Sequence, residues 1–270
     1  MIVIFDTFSG LCNQFYDIQC GINFCVINNI KFSFRYCSFR NDNLTSWYDA
    51  KFSSLFDMSF LTRYSTLYVN YDDLNLNSEN TYNYQGDRAI FLFTDNFLNE
   101  IKNINKEFIV LKQFWSVYKF QKIIDNIVPY LLPSKKLLDV YDKIKNHILN
   151  SESQYNFIHY RYEIDFTSHF NLNVKDLKSL ILDLKYKFKN PNLKIYIATS
   201  NIHKLIDLND NELSNLIITK NDNKLKKYNF EEKAFIDYMF GLHSNEVFGH
   251  SKSSFSVALN SFKNTSNYYD

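Results

Sequence analysis

The sequence predicts an α/β protein of two halves that face each other across a cleft. Three observations predict it. Short apolar runs alternate with segments of helical period at both ends of the chain, polar turns carrying a glycine touch two of those runs, and 270 residues are enough for two modest domains.

The first half opens as strand, turn, helix and strand. Residues 2–5 form an apolar run suited to a buried parallel strand. Ser9-Gly10-Leu11-Cys12-Asn13-Gln14 is the turn, and Phe15, Ile18, Ile22, Cys25 and Val26 then recur on one helical face. Phe32, Phe34 and Tyr36 alternate with Ser33 and Arg35, the pattern of a half-buried strand. Residues 41–110 show little period and are expected to hold short helices and loops, with Asp72-Asp73 in a loop of no special role. Residues 110–150 read as helical, interrupted at Pro129 and Pro133. A boundary is expected near 150, at Asn150-Ser151-Glu152-Ser153. It divides an N-terminal domain, 1–150, from a C-terminal one, 151–270.

The alternation resumes with a strand at 155–160. Val174, Leu177, Leu180, Ile181 and Leu184 mark an amphipathic helix. A strand at 193–198, a turn at Thr199-Ser200-Asn201 and a weaker strand at 216–219 follow. The chain then reads as helix at 230–242, strand at 246–249 and helix at 254–262. In such a sheet ligands sit at the carboxyl ends of strands.

Composition excludes several classes. A net charge of +1 gives no general attraction to nucleic acid, and the 46% hydrophobic content is that of an ordered globular chain. Cys12, Cys20, Cys25 and Cys37 lack zinc-ligand spacing and read as free buried thiols of a reducing compartment. The start resembles no signal peptide, and no apolar stretch approaches the ~20 residues that span a bilayer. The expectation is a soluble, cytoplasmic protein.

Two segments stand out. Arg161 is the only arginine after position 88, in a chain whose positive charge is mostly lysine, and it follows the strand at 155–160. A guanidinium offers a planar fork that grips phosphate at two points. If the strand continued, His159, Arg161, Glu163 and Asp165 would share one face, lining a charged ligand or pairing with one another. The second segment is Gly249-His250-Ser251-Lys252-Ser253-Ser254, which links a strand to a helix. Hydroxyls and unpaired amides at a helix start bind anions, and Ser253 or Ser254 also suits a simple cap. The sequence has no G-x-G-x-x-G run, P-loop, G-x-S-x-G elbow or H-E-x-x-H motif.

Together these segments resemble the GDP-fucose protein O-fucosyltransferase superfamily and its plant relatives. Gly10-Leu11-Cys12-Asn13-Gln14 resembles its N-terminal turn, although Cys12 stands where glycine or asparagine is usual. His159-Tyr160-Arg161-Tyr162-Glu163-Ile164-Asp165 resembles its H-x-R-x-E-x-D segment. Ile236-Asp237-Tyr238 through Asn245-Glu246-Val247-Phe248-Gly249 to Ser253-Ser254-Phe255-Ser256 resembles its last motif. The resemblance spans both ends and the centre of the chain but not residues 41–150.

It implies a GT-B fold of two Rossmann-like domains and an inverting fucosyltransferase that needs no metal or other cofactor. The partners would be a nucleotide sugar and a glycan or protein acceptor. By this resemblance Arg161 would bind the donor β-phosphate, Ser253, Ser254 and the amide of Phe255 would hold the phosphates, Asp237 would accept from guanine, and His159 would line the nucleotide pocket. Gly10 would contribute to donor binding, and Asn13, counted with Arg161 as catalytic, would face sugar and acceptor. Chemistry alone offers Glu163, Asp165, Asp17 and Asp6 as general base. Alternatives are the same fold with another donor, such as UDP-rhamnose, or an inactive nucleotide- or glycan-binding relative.

Overall fold

A computed structural model describes residues 1–41, 46–84, 95–114, 126–149, 154–162, 164–173, 175–200, 211–220 and 225–270. The chain forms two compact units. One comprises Met1–Leu138 with Tyr228–Lys233, the other Asp139–Lys227 with Ala234–Asp270. The boundary expected at 150–153 lies outside the described residues.

The N-terminal unit contains β1 (Ile2–Thr7), α1 (Leu11–Ile27), β2 (Lys31–Arg40), β3 (Trp47–Lys51), α2 (Phe52–Leu55), β4 (Thr81–Tyr84), α3 (Asp95–Lys102) and β5 (Phe108–Phe114). Its sheet runs β3-β2-β1-β5-β4. β1 is central and parallel to β2 and β5, which is why Val3, Ile4 and Phe5 are wholly buried. The stripe on α1 packs inward through Phe15, Ile18, Ile22 and Cys25.

Three expectations are corrected here. Residues 108–114 are a strand, not part of a helical stretch. Phe108-Ile109-Val110-Leu111 is a continuous apolar run, and a strand buried on both faces shows no alternation to tell it from buried helix. Residues 41–110 also supply β3 and β4 rather than only helices and loops. β2 is not half-buried at its start: Phe32, Ser33 and Phe34 are all buried, so both faces of the strand are covered there, with Phe52 of α2 stacked 4.7 Å from Phe34.

The C-terminal unit contains most of α4 (Lys135–Leu149), then β6 (Asn156–His159), α5 (Ile164–Phe170), α6 (Leu177–Lys185), β7 (Ile195–Ala198), α7 (Asn211–Leu216) and β8 (Ile217–Ile218). Most of α8 (Phe230–His243), β9 (Val247–Phe248) and α9 (Ser254–Lys263) complete it. Its parallel sheet runs β8-β7-β6-β9. Ile158, Ile195 and Ile197 of the sheet meet Leu180, Ile181 and Leu184 of α6 in its core. The helix expected over 230–242 spans Phe230–His243, and that over 254–262 spans Ser254–Lys263.

The expected strand at 155–160 ends at His159. Its pairing runs out there, since Ile158 lies opposite Phe248, the last residue of β9, and His159 opposite Ala198, the last of β7. By Ile164 the chain is helical, so the shared strand face proposed for His159, Arg161, Glu163 and Asp165 does not form.

In both units the chain lays strands on one side of a central strand before crossing to the other. β2 and β5 flank β1, and β7 and β9 flank β6. Such switch points open a crevice at the carboxyl ends of the strands, where α/β sheets bind ligands. The motif turns fall at these points. All four cysteines are free and buried. Among the described residues no helix is long and apolar enough to cross a membrane.

Candidate active site

In the C-terminal unit the turns after β6 and β9 come together. Gly249 permits this: a Cβ there would lie 2.2 Å from Ser256 Oγ. Ser256 is fully buried. Its hydroxyl accepts from the His250 amide at 3.2 Å and lies 2.8 Å from His159 Nδ1. The His159 ring packs 4.3 Å from Phe255, and Tyr238 meets Phe255 edge-on at 5.5 Å. His159, Phe255 and the start of α9 therefore form one packed group.

Arg161 joins them through a shared aromatic ring. Its guanidinium carbon lies 4.9 Å from the centre of Phe166, and Phe166 packs 5.1 Å from His250 on the turn into α9. Ser253 is the N-cap residue of α9, yet its side chain makes no capping bond. Ser254 opens the helix, half-buried. Hydroxyls at the helix start, and a guanidinium linked to that turn through Phe166 and His250, are donor types suited to an anion.

Burial pushes the His250 imidazole below its ordinary range, only partly opposed by Asp270. Asp270 accepts from the Ser251 amide at 2.8 Å and from its hydroxyl. Burial raises the Asp270 carboxyl, but these bonds and His250 outweigh it, and the net shift is downward.

Asp237 sits on α8 with both oxygens engaged. Oδ1 accepts from the Tyr196 hydroxyl at 2.8 Å, and Oδ2 from the Lys220 ammonium. Both charged groups are buried. Glu163 lies outside the described residues. Asp165 falls in α5, and its side chain is likewise outside them.

In the N-terminal unit the turn after β1 is held from within. Ser9 adopts a left-handed backbone, φ 80°, unusual for a residue with a side chain. Gly10 is the N-cap position of α1, so Asn13 and Gln14 lie in its first turns. The Asn13 amide donates to Ser9 Oγ at 2.9 Å. Gln14 is fully buried and uses all its hydrogen-bonding capacity: it accepts from the Thr7 hydroxyl (2.7 Å) and the Ser38 amide (3.2 Å), and donates to the carbonyls of Ser9 and Ser38 (both 2.8 Å). Asp17, also fully buried, accepts from the Phe8 amide at 3.2 Å, which gives it a part in holding the turn. Asp6 forms a two-point pair with Arg35, and burial still pushes its carboxyl up against that pull.

Sequence reasoning missed Arg40. Glu231 accepts from both the backbone amide and Nε of Arg40, each at 2.7 Å, and the guanidinium packs 3.8 Å from Phe230. A Cβ at Gly10 would lie 3.4 Å from Arg40 Nη2. Nothing local signals this pairing, because its partners are 191 residues apart.

No protein-family model and no curated protein matches the sequence. Solved structures do match it. POFUT1 in complex with GDP-fucose superposes with a TM-score of 0.71 over 99% of this chain and 97% of its own, at 10% identity. POFUT1 in complex with GDP gives 0.69 over 99% and 97%, also at 10% identity. The fucosyltransferase NodZ from Bradyrhizobium gives 0.60 over 96% of this chain and 92% of its own, at 11% identity. The chain thus has the fold of these fucosyltransferases, a GT-B fold of two Rossmann-like α/β units.

Proposed function

We propose that this chain is an inverting, metal-independent glycosyltransferase that moves fucose from GDP-fucose to a hydroxyl of a glycan or protein. One observation carries the reading. The turn after β6, which carries His159 and Arg161, packs on the turn into α9 at the switch point of one sheet, His159 through Ser256 and Arg161 through Phe166 and His250. They do so in a chain that shares its fold with structures holding GDP or GDP-fucose.

In this reading residues 151–270 hold the donor, and 1–150, with Asn13, serve the acceptor side. The acceptor oxygen attacks the anomeric carbon opposite the diphosphate, and the bond from that carbon to the β-phosphate oxygen breaks. Negative charge then develops on the leaving group. Arg161 and the amides and hydroxyls of Ser253, Ser254 and Phe255 meet it, a contribution stronger in the transition state than in the ground state. That donor set supplies what a divalent ion supplies elsewhere. His159, fixed by Ser256, lines the nucleotide. The acceptor proton passes to a carboxylate, with Glu163 and Asp165 as the nearest in sequence to Arg161. Asp237 is assigned to guanine, and Lys220 must then share or yield one of its oxygens. Four free thiols suit a reducing, cytoplasmic setting.

Thermal unfolding with added nucleotide tests the assignment, because a ligand that binds only the folded chain stabilises it by about 2.7 kcal/mol at a hundred times its Kd. GDP is expected to raise the midpoint, UDP to leave it unchanged, and a chelator to make no difference to the GDP effect. Stabilisation by UDP alone would transfer the reading to another donor. No response to either nucleotide would end it.

A further inference from the structure

We infer that Tyr269 is a positioning residue for Arg161, fixing the backbone from which that guanidinium reaches its target. The inference rests on the glycosyltransferase reading above.

The need follows from where the sheet stops. β6 ends at His159, and just beyond it the Tyr160 amide donates to the Ala198 carbonyl at 2.9 Å. Arg161 lies one residue further, beyond the ladder that would set its direction. There the Tyr269 hydroxyl takes over. It donates to the His159 carbonyl at 2.8 Å and accepts from the Arg161 amide at 3.1 Å. One hydroxyl, acting as donor and acceptor at once, thus closes the main chain on both sides of Tyr160.

Tyr269 is itself held firmly. Its amide donates to the Gly249 carbonyl at 3.1 Å, and the Gly249 amide donates to the Asn267 carbonyl at 3.3 Å, so the tail pairs beside the end of β9. The ring packs 5.9 Å from Tyr162 and 5.8 Å from His250. Asp270 then bonds the Ser251 amide. One tail segment therefore grips the turn that carries Arg161 and the turn that enters α9. Those turns carry the groups assigned to the diphosphate. The Tyr269 hydroxyl holds Arg161 by its backbone amide, so its effect on a ligand is indirect.

The test uses the full chain and four forms of it: wild type, Tyr269→Phe, Arg161→Ala and the double variant. Calorimetric titration measures their affinity for GDP and for GMP, which lacks the β-phosphate. Tyr269→Phe removes one oxygen and keeps the ring. It is expected to weaken GDP about 3- to 10-fold, the ordinary worth of one neutral hydrogen bond, and to leave GMP unchanged. With Arg161 already replaced, adding Tyr269→Phe should cost nothing more, since residues that act through one another are not additive. Amide hydrogen exchange supplies a readout independent of ligand: the Arg161 amide should exchange faster in Tyr269→Phe. Equal losses for GDP and GMP, an undiminished penalty in the Arg161→Ala background, or an Arg161 amide protected as in wild type would each overturn the inference. A wild-type chain that binds neither nucleotide would instead overturn the glycosyltransferase reading on which it rests.

Discussion

In the N-terminal unit the turn after the central strand is saturated with hydrogen bonds of its own. In the C-terminal unit the equivalent turns keep Ser253 out of the cap it is placed to make. Gln14 binds Thr7, Ser9 and Ser38 at once, and Arg40 is locked to a buried carboxylate. Arg161 packs on the ring of Phe166, which in turn packs on His250 of the turn into α9. The same topology serves two purposes. One turn is built for a fixed shape, and in the reading proposed above the other presents donors to a ligand.

The two arginines give the sharpest way to break that contrast. Arg40→Ala leaves Glu231 buried without its cation. Such a loss costs about 3–5 kcal/mol, so a large fall in the denaturant midpoint is expected. Arg161→Ala should behave in the opposite manner. The half-buried guanidinium should cost about 1 kcal/mol or less in stability. GDP-fucose turnover should nevertheless fall about 10²- to 10³-fold, as when one charge-stabilising donor is removed from an active site. Near-normal turnover in Arg161→Ala, or normal stability in Arg40→Ala, would erase the distinction between the turns.

A smaller loss should follow Gln14→Leu. It strands the Ser38 carbonyl and the Thr7 hydroxyl in the interior, and a buried polar group left unmade costs about 1–3 kcal/mol. Equilibrium unfolding in urea measures it, and an unchanged midpoint would show the network to be dispensable.

The mildest effect is expected on the C-terminal side, as a dependence on pH. The folded His250 resists protonation, so below the ordinary imidazole value of 6.5 the unfolded chain takes up the proton first, and stability falls as pH drops toward the lower folded value. Asp270 is held below its ordinary 3.8, so its contribution is complete above that value and is lost as pH falls through the folded one. Thermal midpoints measured across the acid range should therefore decline in two stages. His250→Asn should flatten the upper stage and Asp270→Asn the lower.

Sequence revealed most where local chemistry decides structure. The apolar run of β1 and the glycine–serine stretch before α9 lie where their patterns place them, because strand burial and turn formation are written within a few residues. β5 did not read as a strand, because burial on both faces removes the alternation that identifies one. The end of β6 was also hidden. It is set by the lengths of β7 and β9, which His159 and Arg161 do not encode. Arg40 and Tyr269 escaped for a third reason. Their partners come from segments 191 and 108 residues away, and no spacing rule joins them.

The distance between Arg40 and Glu231 has a consequence during biosynthesis. At roughly 5–20 residues added per second, the 191 residues separating them take on the order of 10–40 s to appear. Throughout that interval the nascent N-terminal unit carries a cation whose counter-charge has not left the ribosome. Its maturation therefore waits on a short stretch made long after its own strands, and folding cannot proceed strictly from the first unit to the second.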